Sequence, residues 1–181
     1  MEASSLLATL QERVPAAQLG IVPSVDLHTT LNASRDEWPA LARVLSEEPD
    51  LGFTFLAELT AVDFWPRDPR FELVYILVSI AHRARLRVKV WLPAGDPRVG
   101  TVTGVWPAAN WLEREVWDLF GIVFDGHPDP RRLLMPEDWE GYPLRKDYPV
   151  QIKLPARTTE PLQVTEEQFR ANLENDRLSR R

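Results

Sequence analysis

Residues 71–92 read FELVYILVSIAHRARLRVKVWL, and this stretch decides the fold. Phe71–Ile80 is a near-continuous apolar run rich in Val and Ile, which suits a central strand. Arg83–Leu92 then alternates strictly. Ala84, Leu86, Val88, Val90 and Leu92 share one face, and Arg83, Arg85, Arg87 and Lys89 share the other. Four cations on one strand face suit phosphates or an acidic partner, although a solvated sheet face or a guarded edge is the ordinary use of such a stripe. Upstream, Phe53–Phe64 is apolar enough to form another, largely buried strand, with a helical turn as the alternative for its first half. Helices and antiparallel strands follow one another here without regular βαβ alternation, so the pattern predicts an α+β fold: a two-layer sandwich of a mainly antiparallel or mixed sheet with helices.

The flanking segments fill in that plan. Ser4–Val14 reads as an amphipathic helix ended by Pro15. Leu19–Val22 and Val25–Leu31 read as strands joined by a Pro23-Ser24 turn, with Val25, Leu27, Thr29 and Leu31 on one face of the second. The next helix is expected to start at Ser34, with Ser34 and Glu37 as a capping box, and to end before Pro49. Trp38, Leu41, Val44 and Leu45 form its inner face. A third helix is expected over Pro107–Phe120, with Pro107 in its first turn and Gly121 just past its end. Its apolar arc contains Leu112, Val116, Trp117, Leu119 and Phe120, and Glu113 falls inside that arc. Arg114, Glu115 and Asp118 fall opposite, with Arg114 and Asp118 spaced as an i,i+4 pair. An acid among apolar neighbours must be neutralised, paired or strongly hydrogen-bonded. The expected partner of Glu113 is an arginine from the segment that follows.

Beyond Gly121 the composition changes. Residues 121–161 hold seven of the sixteen prolines, together with Phe124, Leu133, Leu134, Met135, Trp139, Tyr142, Leu144 and Tyr148. Such a stretch forms neither long helices nor central strands, yet it is too apolar for a free linker. The division drawn is an α+β domain over 1–121 and an extended proline-rich C-terminal arm over 122–181. The arm ends in a short helix, Thr165–Leu173, capped by Thr165 and Gln168, and in a polar, frayed Asp176–Arg181.

Composition narrows function mainly by exclusion. The 181 residues contain no cysteine, so disulfides, Cys-ligated clusters, thiolate zinc sites and a cysteine nucleophile are absent. Residues 1–63 carry ten acids and three bases, and residues 64–181 carry seventeen and eighteen, which speaks against a nucleic-acid footprint. No basic-start signal peptide opens the chain, and its longest apolar run is half of the roughly 18 residues of a membrane span. Membrane association is therefore expected only through partner subunits. There is no G-x-G, no phosphate loop and no G-x-S-x-G elbow. Asp125, His127 and Asp129 are the nearest approach to a metal-ligand cluster, and a hydrogen-bonding role suits His127 better. Glu113 and Glu115, two apart on a helix, point to different faces and cannot flank one substrate atom. Arg131, Arg132, Arg145 and Lys146 are balanced by nearby acids, so carboxylate pairing suits them better than phosphate binding. A cofactor-free binding module with an adhesive arm fits these residues better than an enzyme.

The run Glu113-Arg114-Glu115, Asp118-Leu119-Phe120-Gly121, Gly126-His127-Pro128-Asp129, Arg131, Leu133 and Leu134 closely resembles the motif of the 30-kDa subunit family of respiratory complex I, the NADH–quinone oxidoreductase. Asp138-Trp139-Glu140-Gly141 and Pro143-Leu144-Arg145-Lys146-Asp147-Tyr148-Pro149 continue the likeness. Tyr142 departs from the family's usual histidine, and the first 50 residues match in layout only. The resemblance implies a peripheral subunit of the hydrophilic arm, on the cytoplasmic face of the inner membrane, with no catalytic, cofactor-binding or metal residues in this chain. FMN, iron–sulfur clusters and quinone would belong to partner subunits, and the 49-kDa-like subunit would be its neighbour. Glu113, Arg114, Glu115, Asp118, Gly121, His127 and Arg131 would form a structural lock. Arg132, Trp139, Leu144, Arg145, Lys146, Asp147 and Tyr148 would face the partner. Related subunits serve ferredoxin- or F420-fed complexes and membrane-bound hydrogenases. A hydrolase or metal enzyme using His127 is the alternative of another class.

Overall fold

The computed structural model describes residues 3–14, 20–22, 26, 28–149 and 165–179. The Pro23-Ser24 turn, Val25, Leu27 and arm residues 150–164 lie outside the described residues. The chain divides into two compact units, 1–148 and 149–181.

In the first unit the strands are β1 (Gly20–Val22), β2 (Thr29–Ala33), β3 (Phe55–Asp63), β4 (Phe71–Ser79), β5 (Ala84–Leu92), β6 (Arg98–Gly100) and β7 (Val123–Asp125), and the helices are α1 (Ala3–Arg13), α2 (Trp38–Glu47) and α3 (Ala109–Phe120). Among the described residues five strands form a mixed sheet in the order β1-β2-β5-β4-β3, and β6 and β7 form a separate parallel pair. Only β2 and β5 run parallel within the large sheet; its other neighbours are antiparallel. The α+β class expected from residues 71–92 is what forms. Strand β4 is an interior strand between β5 and β3, and its Phe71, Leu73, Tyr75 and Leu77 are fully buried. On its other face Val74, Ile76 and Val78 are half-buried. In β5 Leu86, Val88, Val90 and Leu92 of the predicted inward set are buried, and Ala84 is half-buried. This strand is not an edge, because it lies between β2 and β4. Two of its cations pair with local acids, Arg87 with Asp26 and Lys89 with Glu72 at 2.9 Å, while Arg85 is exposed.

Two expectations for local structure are corrected. Helix α2 begins at Trp38 rather than Ser34, and Glu37 at its N-cap makes no side-chain capping bond. Residues 34–37 form a turn in which the Trp38 N–H donates to the Ser34 carbonyl, and Pro39 sits in the first helical turn, where its fixed φ and missing N–H are tolerated. Strand β2 runs past Leu31 to Ala33, both buried. Trp38, Leu41, Ala42 and Leu45 of α2 then fill the space over the sheet. The Trp38 ring lies 4.4 Å from that of Tyr75 and 6.3 Å from that of Trp106. The Trp106 indole N–H donates to the Phe53 carbonyl, which satisfies a polar group deep in the core.

In the second unit α4 spans Glu166–Ser179. The capping box is formed in both directions, Thr165 N–H to Gln168 Oε1 at 3.1 Å and Gln168 N–H to Thr165 Oγ1 at 3.3 Å. The helix continues through Asp176–Ser179, where a frayed end was expected. Glu166 and Glu167 in its first turn favour it through the helix dipole.

Candidate interaction site: a clamped segment on helix α3

Helix α3 positions the site. Gly121 ends it in the left-handed region, at φ 71°, and its N–H closes the last turn onto Trp117. The helix is buried more widely than its apolar arc implies, because Glu113, Arg114 and Asp118 are all buried with Val116 and Phe120. Residues 127–148 fold back and cover the face that the helical wheel assigns to water. Arg114 and Asp118 are accordingly not partners of each other.

Asp118 is the anchor. Its carboxylate receives the Arg132 guanidinium at 2.7 Å, and one oxygen also accepts the backbone N–H groups of Leu133, Leu134 and Met135 at 3.0, 2.7 and 2.8 Å. Burial alone would raise its pKa. The Met135 N–H, Arg132 and the two other N–H groups outweigh that and hold it below the usual carboxylate range. Arg114 grips the same stretch through its carbonyls, donating to those of Arg131 and Arg132 at 3.0 Å each. Its guanidinium also lies over the Trp111 ring, 5.2 Å from the centroid. Arg132 reaches onward to the Trp139 carbonyl at 2.8 Å.

Two further ties fix the rest of the segment. Arg145 donates from Nε to the Phe120 carbonyl and, at 3.4 Å, from Nη2 to that of Gly121, so a cation caps the C-terminus of α3 where the dipole favours it. The close approach requires a glycine, since a Cβ at Gly121 would clash with the Tyr142 ring and lie 2.7 Å from Arg145 Nη2. Tyr142 lies under the Arg145 guanidinium with its ring centroid 4.5 Å away. At the sheet edge Arg70 bridges Asp63 (2.9 and 2.8 Å) and Asp147 (3.0 and 2.7 Å). Asp63 also accepts the Lys146 N–H at 2.8 Å. Burial pushes Asp63 up, but Arg70 and the backbone N–H groups of Lys146 and Trp65 draw it from 3.8 down to about 2.

The expected arginine partner of Glu113 is a correction. Glu113 is fully buried, but its carboxyl meets the Thr101 hydroxyl at 2.5 Å and the Val102 N–H at 2.8 Å. Among the described residues its neighbour within ion-pair range is His127 Nε2 at 3.9 Å. Burial raises Glu113 from 4.5 to about 7, against the pull of Thr101 and Val102. The arginines that were expected to reach it are held elsewhere by Asp118 and by backbone carbonyls. Arg131 is likewise no part of the buried lock, because its side chain is 77% exposed and pairs with Asp129. Glu115 is half-buried.

The proposed metal donors are all engaged. Asp125 binds Arg98, Asp129 binds Arg131, and both His127 ring nitrogens are occupied, Nε2 by the Asn110 carbonyl and Nδ1 by the Asp129 N–H. Among the described residues no group of three or more His, Cys, Asp and Glu side chains is placed to hold a metal ion. A cavity of about 50 Å³ lies between α3 and the 123–130 stretch, lined by Glu113, Trp117, Phe124, His127 and Pro130 among others. It has room for one or two waters.

Around these ties large apolar side chains stand in solvent: Trp111 is 58%, Leu134 60% and Leu144 51% exposed. Of the residues assigned to a partner face, Lys146 and Asp147 are exposed with Leu144. Arg132, Trp139, Arg145 and Tyr148 are half-buried, with Tyr148 stacked on Trp139 at 6.4 Å. Asp63 and Arg70 were not anticipated from the sequence. Asp63 was detectable, since alternation in β3 puts it on the inward face with Leu59 and Ala61.

An α+β domain whose own following segment is pinned on its last helix with apolar side chains outward is built for contact with other chains. Residues 31–153 match the family described as respiratory-chain NADH dehydrogenase, 30 Kd subunit, and the chain belongs to that family. The C subunit of the NADH-quinone oxidoreductase of Herpetosiphon aurantiacus is 47% identical over 147 residues, covering 79% of this chain and 84% of that one. The equivalent C subunit of Roseiflexus castenholzii is 46% identical over 149 residues, covering 81% and 83%. Among solved structures, the trypsin-resistant fragment (1-134) of Nqo5 is 35% identical, with a TM-score of 0.57 over 71% of this chain and 99% of that one. A chain of the membrane-bound sulfane sulfur reductase, an archaeal respiratory membrane complex, is 27% identical, with a TM-score of 0.69 over 83% and 87%. Among the described residues no helix is long and apolar enough to cross a membrane.

Proposed function

We propose that this chain is a peripheral bracing subunit in the hydrophilic arm of a proton-pumping NADH:quinone oxidoreductase. It binds no cofactor, contributes no catalytic residue, and packs against the 49-kDa-like subunit on the cytoplasmic face. It meets the membrane only through partner subunits, which hold FMN, the iron–sulfur clusters and the quinone site. The observation that carries this reading is the clamp. Buried ionic ties hold the backbone of residues 131–148 still while Leu134 and Leu144 remain exposed. A surface ordered in advance loses less conformational entropy on association than a free arm would.

The test is a native gel of membranes solubilised in mild detergent, stained for NADH oxidation, with mass spectrometry of the active band. The expected band contains this chain together with a 49-kDa-like subunit. Migration of the chain apart from all NADH-oxidising activity would show that it belongs to no such complex. A second reading, the equivalent subunit of a complex with a different electron donor, is favoured by the likeness to the archaeal reductase chain. It predicts the same co-migration with large subunits, but in a band inactive with NADH.

A further inference from the structure

Glu113 stands apart from the other buried acids among the described residues. Asp63 and Asp118 each face a guanidinium, and Glu72 faces Lys89. Glu113, with no exposed surface, faces two neutral donors. The elements packed around it bring no compensating charge. From the turn after β6 come the Thr101 hydroxyl and the Val102 N–H. From β4 comes Tyr75, whose buried hydroxyl is pushed well up by burial and by Glu113 itself. The acids of β3 lie elsewhere, with Glu58 exposed and Asp63 held by Arg70. In β7 Asp125 pairs with Arg98. On α3 the adjacent Arg114 is turned to the carbonyls of Arg131 and Arg132 and to Asp129.

That leaves His127, and its bonding fixes its state. Nδ1 accepts the Asp129 N–H and so carries no proton, while Nε2 donates to the Asn110 carbonyl. The ring in this geometry is neutral and supplies no positive charge. A carboxylate buried without a counter-charge is strongly disfavoured, so the acid keeps its proton. The hydrogen-bond pattern accommodates this. A protonated Glu113 donates to Thr101 Oγ1, whose own hydrogen then turns to Thr103 Oγ1 at 3.0 Å, while the other carboxyl oxygen keeps the Val102 N–H.

We propose that Glu113 is a buried proton-binding site, a carboxylic acid beside His127 that gives up its proton as pH rises through neutrality. Release of that proton to solvent loosens the 126–130 loop that leads into the Asp118 clamp. The loop responds because the carboxylate left behind has no counter-charge and draws water into the cavity it shares with His127 and Pro130.

The full chain, labelled with ¹³C at glutamate Cδ and ¹⁵N at the histidine rings, tests this by NMR over pH 5–9. The expected result is one glutamate Cδ resonance with a midpoint near 7 that disappears in Glu113→Gln, with the proton of the neutral His127 ring on Nε2. Glutamine reproduces the neutral acid's bonds to Thr101 and Val102. The unfolding constant of the unaltered chain relative to the variant is therefore expected to rise roughly 70-fold between pH 5 and pH 8. Exchange of the Asp129 and Val102 amides should also quicken above pH 7 in the unaltered chain beyond the rise seen in the variant. All glutamate resonances titrating below pH 5, or an Nδ1–H tautomer at His127, overturns the proposal. That measurement needs only the unaltered chain, so it stands even where the variant fails to fold.

Discussion

Replacing Asp118 by alanine removes one carboxylate and leaves four donors without an acceptor: the Arg132 guanidinium and the N–H groups of Leu133, Leu134 and Met135. Breaking a buried ion pair from one side costs about 3–5 kcal/mol, and each buried N–H left unpaired adds about 1–3. Both figures must be reduced here. The Arg132 side chain is 16% exposed and keeps its bond to the Trp139 carbonyl, and the freed N–H groups are only partly buried, so water reaches some of them. A net loss of about 3 kcal/mol follows. With a urea slope of about 2 kcal/mol per molar, the unfolding midpoint of the full chain should fall by about 1.5 M. Asp118→Asn keeps one acceptor oxygen but turns an amide donor toward Arg132, and should cost about 2 kcal/mol. The same loss should appear locally as faster tryptic cleavage after Arg131 and Arg132, whose carbonyls Arg114 holds. An Asp118→Ala chain with an unchanged urea midpoint and an unchanged cleavage rate would refute the clamp.

Further expectations concern the other ties. Gly121→Ala combines a left-handed φ with a clash against the Tyr142 ring, and should lower the urea midpoint, whereas Gly104→Ala meets nothing within 4 Å and should leave it nearly unchanged. Asp63 has its folded pKa lowered from 3.8 to about 2, so its contribution of roughly 2 kcal/mol is present above pH ~4 and is lost as pH falls toward 2. Denaturation of Asp63→Asn across that range should show a flatter acid limb, and an acid limb as steep as that of the unaltered chain counts against the Arg70 bridge. Arg132→Ala should impair assembly more than Arg131→Ala, read as recovery of the chain in the complex band, because the first holds Asp118 and the second is a surface pair with Asp129. Deleting 150–181 removes only residues of the second compact unit, and should leave cooperative melting of the remainder intact while reducing assembly.

The sheet was legible because residues 71–92 display its two periodicities without interruption, and burial of Leu86, Val88, Val90 and Leu92 follows the written alternation. Gly121 was legible for a related reason, since a glycine after an amphipathic run is a local signal of where a helix must stop. Partner choice was not local. Glu113 looked like the acid in need of an arginine because it alone sat in the apolar arc. That reasoning assumed the opposite face of α3 met water. Once residues 127–148 fold over that face, Asp118 becomes buried and draws Arg132, while Glu113 is left with Thr101 and Val102, donors that precede it by 12 and 11 residues. Helix α2 was misplaced by four residues because Ser34 and Glu37 carry the letters of a capping box, but Pro39 provides a better first turn.

The three N–H groups held by Asp118 come from the main chain, not from the side chains of Leu133, Leu134 and Met135. The shape of this turn is thus separated from the chemistry it displays. Every amino acid except proline supplies the required donor, so residue 134 can be exchanged for a larger, smaller or charged one without altering where it stands. Pro136 follows directly after the last donor that the carboxylate uses. A surface built in this way can be recut for a different neighbour by point substitutions alone, with the backbone serving as a fixed mount.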